Sequence, residues 1–85
     1  MSYRVEWAPL AQDEALRIIL ARPDRGAVVR AMDVIGTVLA DEGPRAGECR
    51  EGPFRILIEL PLAVKFTVDT DDAVVTVAQI WDVAS

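Results

Sequence analysis

Four cations stand close together in the middle of this 85-residue chain: Arg45, Arg50, Arg55 and Lys65. Side chains of this type can hold a phosphate or another anion and can offset negative charge that develops during a reaction. Glu48, Glu51 and Glu59 lie among them. Arg50 and Arg55 therefore admit a second reading as members of exposed ion pairs, each contributing about 0–1 kcal/mol. Lys65 can equally be a solvent-facing strand residue. Glu59 and Asp69 could form a carboxylate pair, but no second motif accompanies them. Cys49 has Arg50 as a neighbour, and a positive neighbour favours a reactive thiolate; an inert thiol is the simpler reading. Trp7 and Trp81 suit either the core or a partner-binding patch.

Other chemistry is limited by what the chain lacks. It has no histidine, the commonest metal ligand and general base. A single cysteine permits no intrachain disulfide and no cysteine-based metal site. No cofactor or metal is expected. The formal net charge is -5, which opposes generic attraction to a phosphate backbone. From Phe66 onward the charged residues are Asp69, Asp71, Asp72 and Asp82. Any anion-binding surface must therefore be built from the middle strands or the helices. With 52% apolar residues the chain can pack a core as one domain, residues 1–85. No run of about 18 apolar residues suggests a membrane span. The first residues lack the apolar stretch of a secretory signal, and the expected compartment is the cytoplasm.

The elements that must position these residues follow from spacing. Tyr3, Val5 and Trp7 alternate with Arg4 and Glu6, as in a half-buried strand. Pro9 suits the first turn of a helix, Leu16, Ile19 and Leu20 give it an apolar stripe, and Pro23 ends it. Asp24 is the expected N-cap of a second helix. Val28, Ala31, Met32, Ile35, Val38 and Leu39 recur at helical steps, and Gly43-Pro44 stops them. Gly36 is expected to let the two helices pack closely as a hairpin. Residues 45–53 form a connector with room for a short strand. Three strand-like runs follow, at 54–60, 63–69 and 73–81, divided by Pro61 and by the turn Thr70-Asp71-Asp72.

The order predicts an α+β fold: an N-terminal strand, a helix hairpin, then an antiparallel three- to four-stranded meander. The last run is apolar on both faces, as in a strand with neighbours. Pairing it with both the first run and 63–69 would place the termini centrally. The helices are expected on one sheet face. The other face is expected to carry Arg55, Glu59, Lys65 and Thr67, with Leu57 among them.

Several segments together resemble the RelE/ParE superfamily of type II toxin–antitoxin toxins. They are the opening Tyr3-Arg4-Val5-Glu6-Trp7 with Ala8-Pro9-Leu10-Ala11, and the hairpin end Leu39-Ala40-Asp41-Glu42-Gly43-Pro44. The rest are Gly47-Glu48-Cys49-Arg50-Glu51 with Arg55-Ile56-Leu57, Val64-Lys65-Phe66-Thr67-Val68-Asp69, and Val74-Val75-Thr76-Val77. The resemblance implies a toxin that acts on translation through mRNA cleavage at the ribosome, or on DNA gyrase. It implies a cognate antitoxin peptide or protein as partner. In such a nuclease Arg50 and Arg55 would hold the scissile phosphate, and Lys65 would add charge or assist proton transfer. The attacking group would be the RNA's own 2′-hydroxyl, with no metal. The chain departs from the nuclease pattern at its end, where residues 79–85 hold no basic residue, tyrosine or histidine. The alternative is a catalytically silent module of the same fold that binds another protein.

Overall fold

The alternating run at the start becomes β1 (Arg4–Trp7), seen in a computed structural model that describes residues 2–83, apart from the side chain of Glu51. Then come α1 (Pro9–Ala21), α2 (Arg25–Glu42), a 3-10 turn (Gly43–Arg45), β2 (Glu48–Glu51), β3 (Phe54–Glu59), β4 (Leu62–Asp69) and β5 (Val74–Asp82). The strands form one sheet in the order β1-β5-β4-β3-β2. β1 runs parallel to β5, with Arg4 opposite Val74 and Trp7 opposite Val77. The remaining neighbours are antiparallel. β5 has strands on both sides, as its two apolar faces require. β1 takes the edge instead of a central place, because β5 follows β4 directly and leaves only its outer side free.

Pro9 opens α1, where its missing N–H would have had no intrahelical partner. The residues of α1 that are fully covered are Ala11 and Ala15, small enough to let the helix lie close on β5. α2 buries Val28, Ala31, Ile35 and Leu39 along one stripe. These meet Leu62, Val64 and Phe66 of β4, and Val75, Val77 and Ile80 of β5. Burying a large apolar side chain completely is worth about 1.5–3 kcal/mol, so this single cluster holds both helices on one face. Tyr3, Val5 and Trp7 pack against it from β1, while Arg4 and Glu6 pair with each other in solvent at 3.1 Å.

Two local expectations change. A Cβ at Gly36 would meet no atom within 4 Å, so close helix packing is not what this glycine serves. Asp24 sits at the α2 N-cap, but its carboxylate does not cap the helix. It accepts hydrogen bonds from Arg22 at 2.7 and 2.8 Å instead, while the Asp24 carbonyl receives the N–H groups of Ala27 and Val28. The stop at Gly43 has a tertiary cause. Its φ of 49° is left-handed, and a Cβ there would run into the ring of Tyr3. The Tyr3 N–H reaches back to the Ala40 carbonyl at 2.7 Å, tying β1 to the end of α2. At the β4–β5 turn, Asp69 accepts the Asp72 N–H at 3.1 Å.

The expected face assignment of β3 is reversed. Arg55 lies opposite Phe66, Leu57 opposite Val64 and Glu59 opposite Leu62. Directly opposed residues share a face, so Arg55, Leu57 and Glu59 point to the helix side. Phe54, Ile56 and Ile58 point to the open side with Lys65 and Thr67. The pattern puts its fully apolar phase, Phe54, Ile56 and Ile58, toward the helices, but pairing with β4 selects the other phase, in which Leu57 is the apolar residue.

Candidate functional site at the open sheet face

The open face is built in rows across the sheet. Ile56, Lys65 and Gln79 form one row, and Ile58, Ala63 and Trp81 the next. Ala63 is fully buried although it faces away from the helices, between Ile58 and Trp81 as flanking neighbours. Ile58 is 54% exposed and Trp81 37%. The centre of this face is thus apolar.

Its charges are largely neutralised. Arg50 sits at the irregularity in the β2–β3 pairing, between Cys49 and Glu51. Its Nη2 lies 3.0 Å from the Glu48 carboxylate, with both side chains more than half exposed. Such a pair contributes about 0–1 kcal/mol and leaves little net field. Arg50 and Glu48 line a cavity of about 280 Å³ with Gly47, Ile56, Leu57 and Ile58. The Lys65 ammonium lies 4.4 Å from the centroid of the Phe54 ring, an attraction of about 0.5–1 kcal/mol at exposed sites.

Arg55 is elsewhere. Its Nε donates to the Ala46 carbonyl at 2.8 Å and its Nη2 to the Gly47 carbonyl at 3.2 Å, in a part-buried setting. These bonds hold the connector leading into β2. A Cβ at Gly47 would strike the Ile56 carbonyl, so the connector backbone comes very close to β3 at this point. Arg50, Arg55 and Lys65 therefore do not converge on one anion. Glu59 and Asp69 stand at opposite ends of the β3–β4 pair and form no carboxylate pair. Cys49 is exposed. Among the described residues no cluster of His, Cys, Asp and Glu could hold a metal ion, and no helix is long and apolar enough to cross a membrane.

A second feature was not read from the sequence. Trp7, Ala15, Leu16, Ile19 and Met32, with Gln12 at the rim, line an apolar groove of about 300 Å³ between the helices and β1. Leu16 is 58% exposed and Leu20, one turn further on, 63%. The signal was present in the doubled apolar stripe of α1, which is wider than contact with β5 requires.

No family model matches the sequence, and no curated protein matches it. Solved structures do resemble the fold. A chain of the toxin–antitoxin complex RelBE2 from Mycobacterium tuberculosis aligns with a TM-score of 0.78 at 14% identity, covering 96% of this chain and 92% of that one. A chain of the chromosomal ParDE TA system from P. aeruginosa gives 0.69 at 18% identity, covering 98% of each. A chain of the archaeal RelE-RelB complex from Pyrococcus horikoshii OT3 gives 0.60 at 14% identity, covering 99% and 98%. Identities this low establish the architecture alone. The likeness covers 96–99% of this chain, and the chain shares the RelE/ParE-like fold of these structures.

Proposed function

We propose that this chain is the toxin-type member of a toxin–antitoxin pair, restrained by a cognate antitoxin and acting by binding its target. Of the two activities expected from the resemblance, this reading favours the gyrase type, which needs a docking surface, over mRNA cleavage, which needs converging cations. The observation that carries it is the placement of Arg55, which lies on the helix side and donates to the Ala46 and Gly47 carbonyls. The open face keeps Arg50 and Lys65 as anion contacts, one beside Glu48 and the other over Phe54. Trp81, a residue type enriched at interface hot spots, would serve as an anchor with Ile58 as its apolar neighbour across Ala63. Exposed Leu16 and Leu20, beside the helix-layer groove, support a partner on that side as well.

The test is induction of the chain in growing cells with DNA supercoiling and translation followed in parallel. Growth arrest with altered supercoiling and intact mRNA is expected, relieved by a co-expressed antitoxin from the adjacent reading frame. Cut mRNA with unchanged supercoiling would favour the nuclease. Unimpaired growth at high soluble expression would favour the silent protein-binding module.

A further inference from the structure

Leu60 and Pro61 form the tight turn between β3 and β4. Such turns ordinarily hold glycine, asparagine, aspartate or serine, yet Leu60 is a large apolar residue and is 70% exposed. The turn that carries it is braced. Pro61 is buried, and its carbonyl accepts the Val83 N–H at 2.9 Å. Leu60 is thus presented as an apolar knob on a fixed backbone, and covering it orders little that is not ordered already.

Beside the knob lies a hollow of about 350 Å³. Glu59 and Leu60 form one wall, and Ala27, Arg30, Ala31 and Val34 of α2 form the other. Ala27 and Ala31 stand one helical turn apart, and their small side chains leave the hollow open. Val34 adds an apolar rim, 41% exposed. Each wall also carries a charge, Arg30 on α2 and Glu59 at the end of β3. Among the described residues neither forms a salt bridge or a side-chain hydrogen bond.

A knob beside a hollow, with a cation on one wall and an anion on the other, complements itself under a two-fold rotation. An isologous interface has this property: the same patch serves both subunits, and each contact occurs twice. We propose that this patch joins two copies of the chain in a symmetric dimer. Leu60 of each copy enters the hollow of the other, against Ala27, Ala31 and Val34, and Arg30 of each meets Glu59 of the other. The patch shares no residue with the open-face rows or with the groove at Trp7. The dimer therefore goes beyond the target-binding reading and does not depend on it.

The test is sedimentation of the full chain over a dilution series, beside Leu60→Asp, Arg30→Glu and Glu59→Arg, with circular dichroism to confirm that each variant is folded. The wild type should be a dimer that dissociates on dilution. Each substitution should raise its dissociation constant about tenfold or more. Arg30→Glu sets carboxylates against each other across the axis, and Glu59→Arg sets guanidinium groups against each other. An equimolar mixture of these two variants restores both opposite-charge pairs, and should dimerise about as strongly as the wild type. Leu20→Asp, at a leucine of similar exposure on α1, should leave the dimer unchanged. A wild-type monomer at every concentration overturns the proposal. If Leu60→Asp then also abolishes capture by the co-expressed antitoxin, the patch belongs to that partner instead. A dimer that survives Leu60→Asp, that Leu20→Asp weakens equally, or that the charge-variant mixture fails to recover overturns it as well.

Discussion

Arg55 and Lys65 leave the sheet on opposite faces. Arg55 lies across from Phe66 and Lys65 across from Ile56, one residue out of phase. Two cations that look like partners in the sequence are thereby separated by the full thickness of a strand. One becomes a brace for the connector and the other lies on an aromatic ring.

Arg55→Ala should therefore act on stability. Part-buried charged hydrogen bonds contribute about 1.5–3 kcal/mol each way they are counted, and two carbonyls lose their donor. Denaturant unfolding should show a loss in that range, incompletely recovered by Arg55→Lys, whose single ammonium cannot span both carbonyls. Loss of target inhibition with unchanged stability would return Arg55 to the functional surface.

The face assignment of β3 can be checked at neighbouring positions. Leu57 packs against the core, whereas Ile58 is largely exposed. Leu57→Ala should cost about 2 kcal/mol or more, and Ile58→Ala less than about 1 kcal/mol. Equal losses, or the reverse order, would mean that the register is shifted by one.

Much of this architecture was legible because local signals and tertiary needs agreed. Pro9, the stripe from Val28 to Leu39 and the stop at Gly43 each named an element boundary or a buried face. β3 was misread for a physical reason: hydrophobicity alone puts Phe54, Ile56 and Ile58 toward the helices, whereas pairing with β4 puts Arg55, Leu57 and Glu59 there. Arg55 could be drawn to the helix side only because Ala46 and Gly47 offer it carbonyls from a connector about nine residues earlier, a contact no spacing rule reveals. Gly36 misled in the opposite direction, since a glycine in a helix suggests close approach and none occurs.

Two backbone positions make opposite predictions. Gly43→Ala places a methyl group in the Tyr3 ring at a left-handed φ, and should destabilise by about 2 kcal/mol or more. Ala73 holds a φ of 56° while its carbonyl accepts the Arg4 N–H at 2.8 Å. The left-handed conformation costs a residue with a Cβ about 1–2 kcal/mol, and glycine costs about 0.5–1 kcal/mol in backbone entropy. Ala73→Gly should thus be neutral to mildly stabilising in thermal unfolding, and a clear loss of stability would contradict the geometry.

Arg22 ties the hairpin loop to the end of β5 by bonding Asp24 and Asp82 together. The hydrogen bond from Arg22 holds the Asp24 carboxyl below its ordinary value of 3.8. A carboxyl depressed in the folded state stabilises at pH above its unfolded value, and that contribution vanishes as pH falls through the folded value. Unfolding measured from pH 5 downward should show stability declining below the ordinary carboxylate range, with a shallower decline in Arg22→Gln. An identical acid slope in both proteins would remove this latch from the account.

The most direct test of a target-binding toxin is induction of the wild-type chain beside an Ile58→Asp, Trp81→Asp double variant, with supercoiling, mRNA integrity and growth recorded together. The open-face account predicts arrest with altered supercoiling and intact mRNA for the wild type, and normal growth for a variant that remains folded. Arrest that persists in the folded variant, or arrest accompanied by cut mRNA, would contradict it.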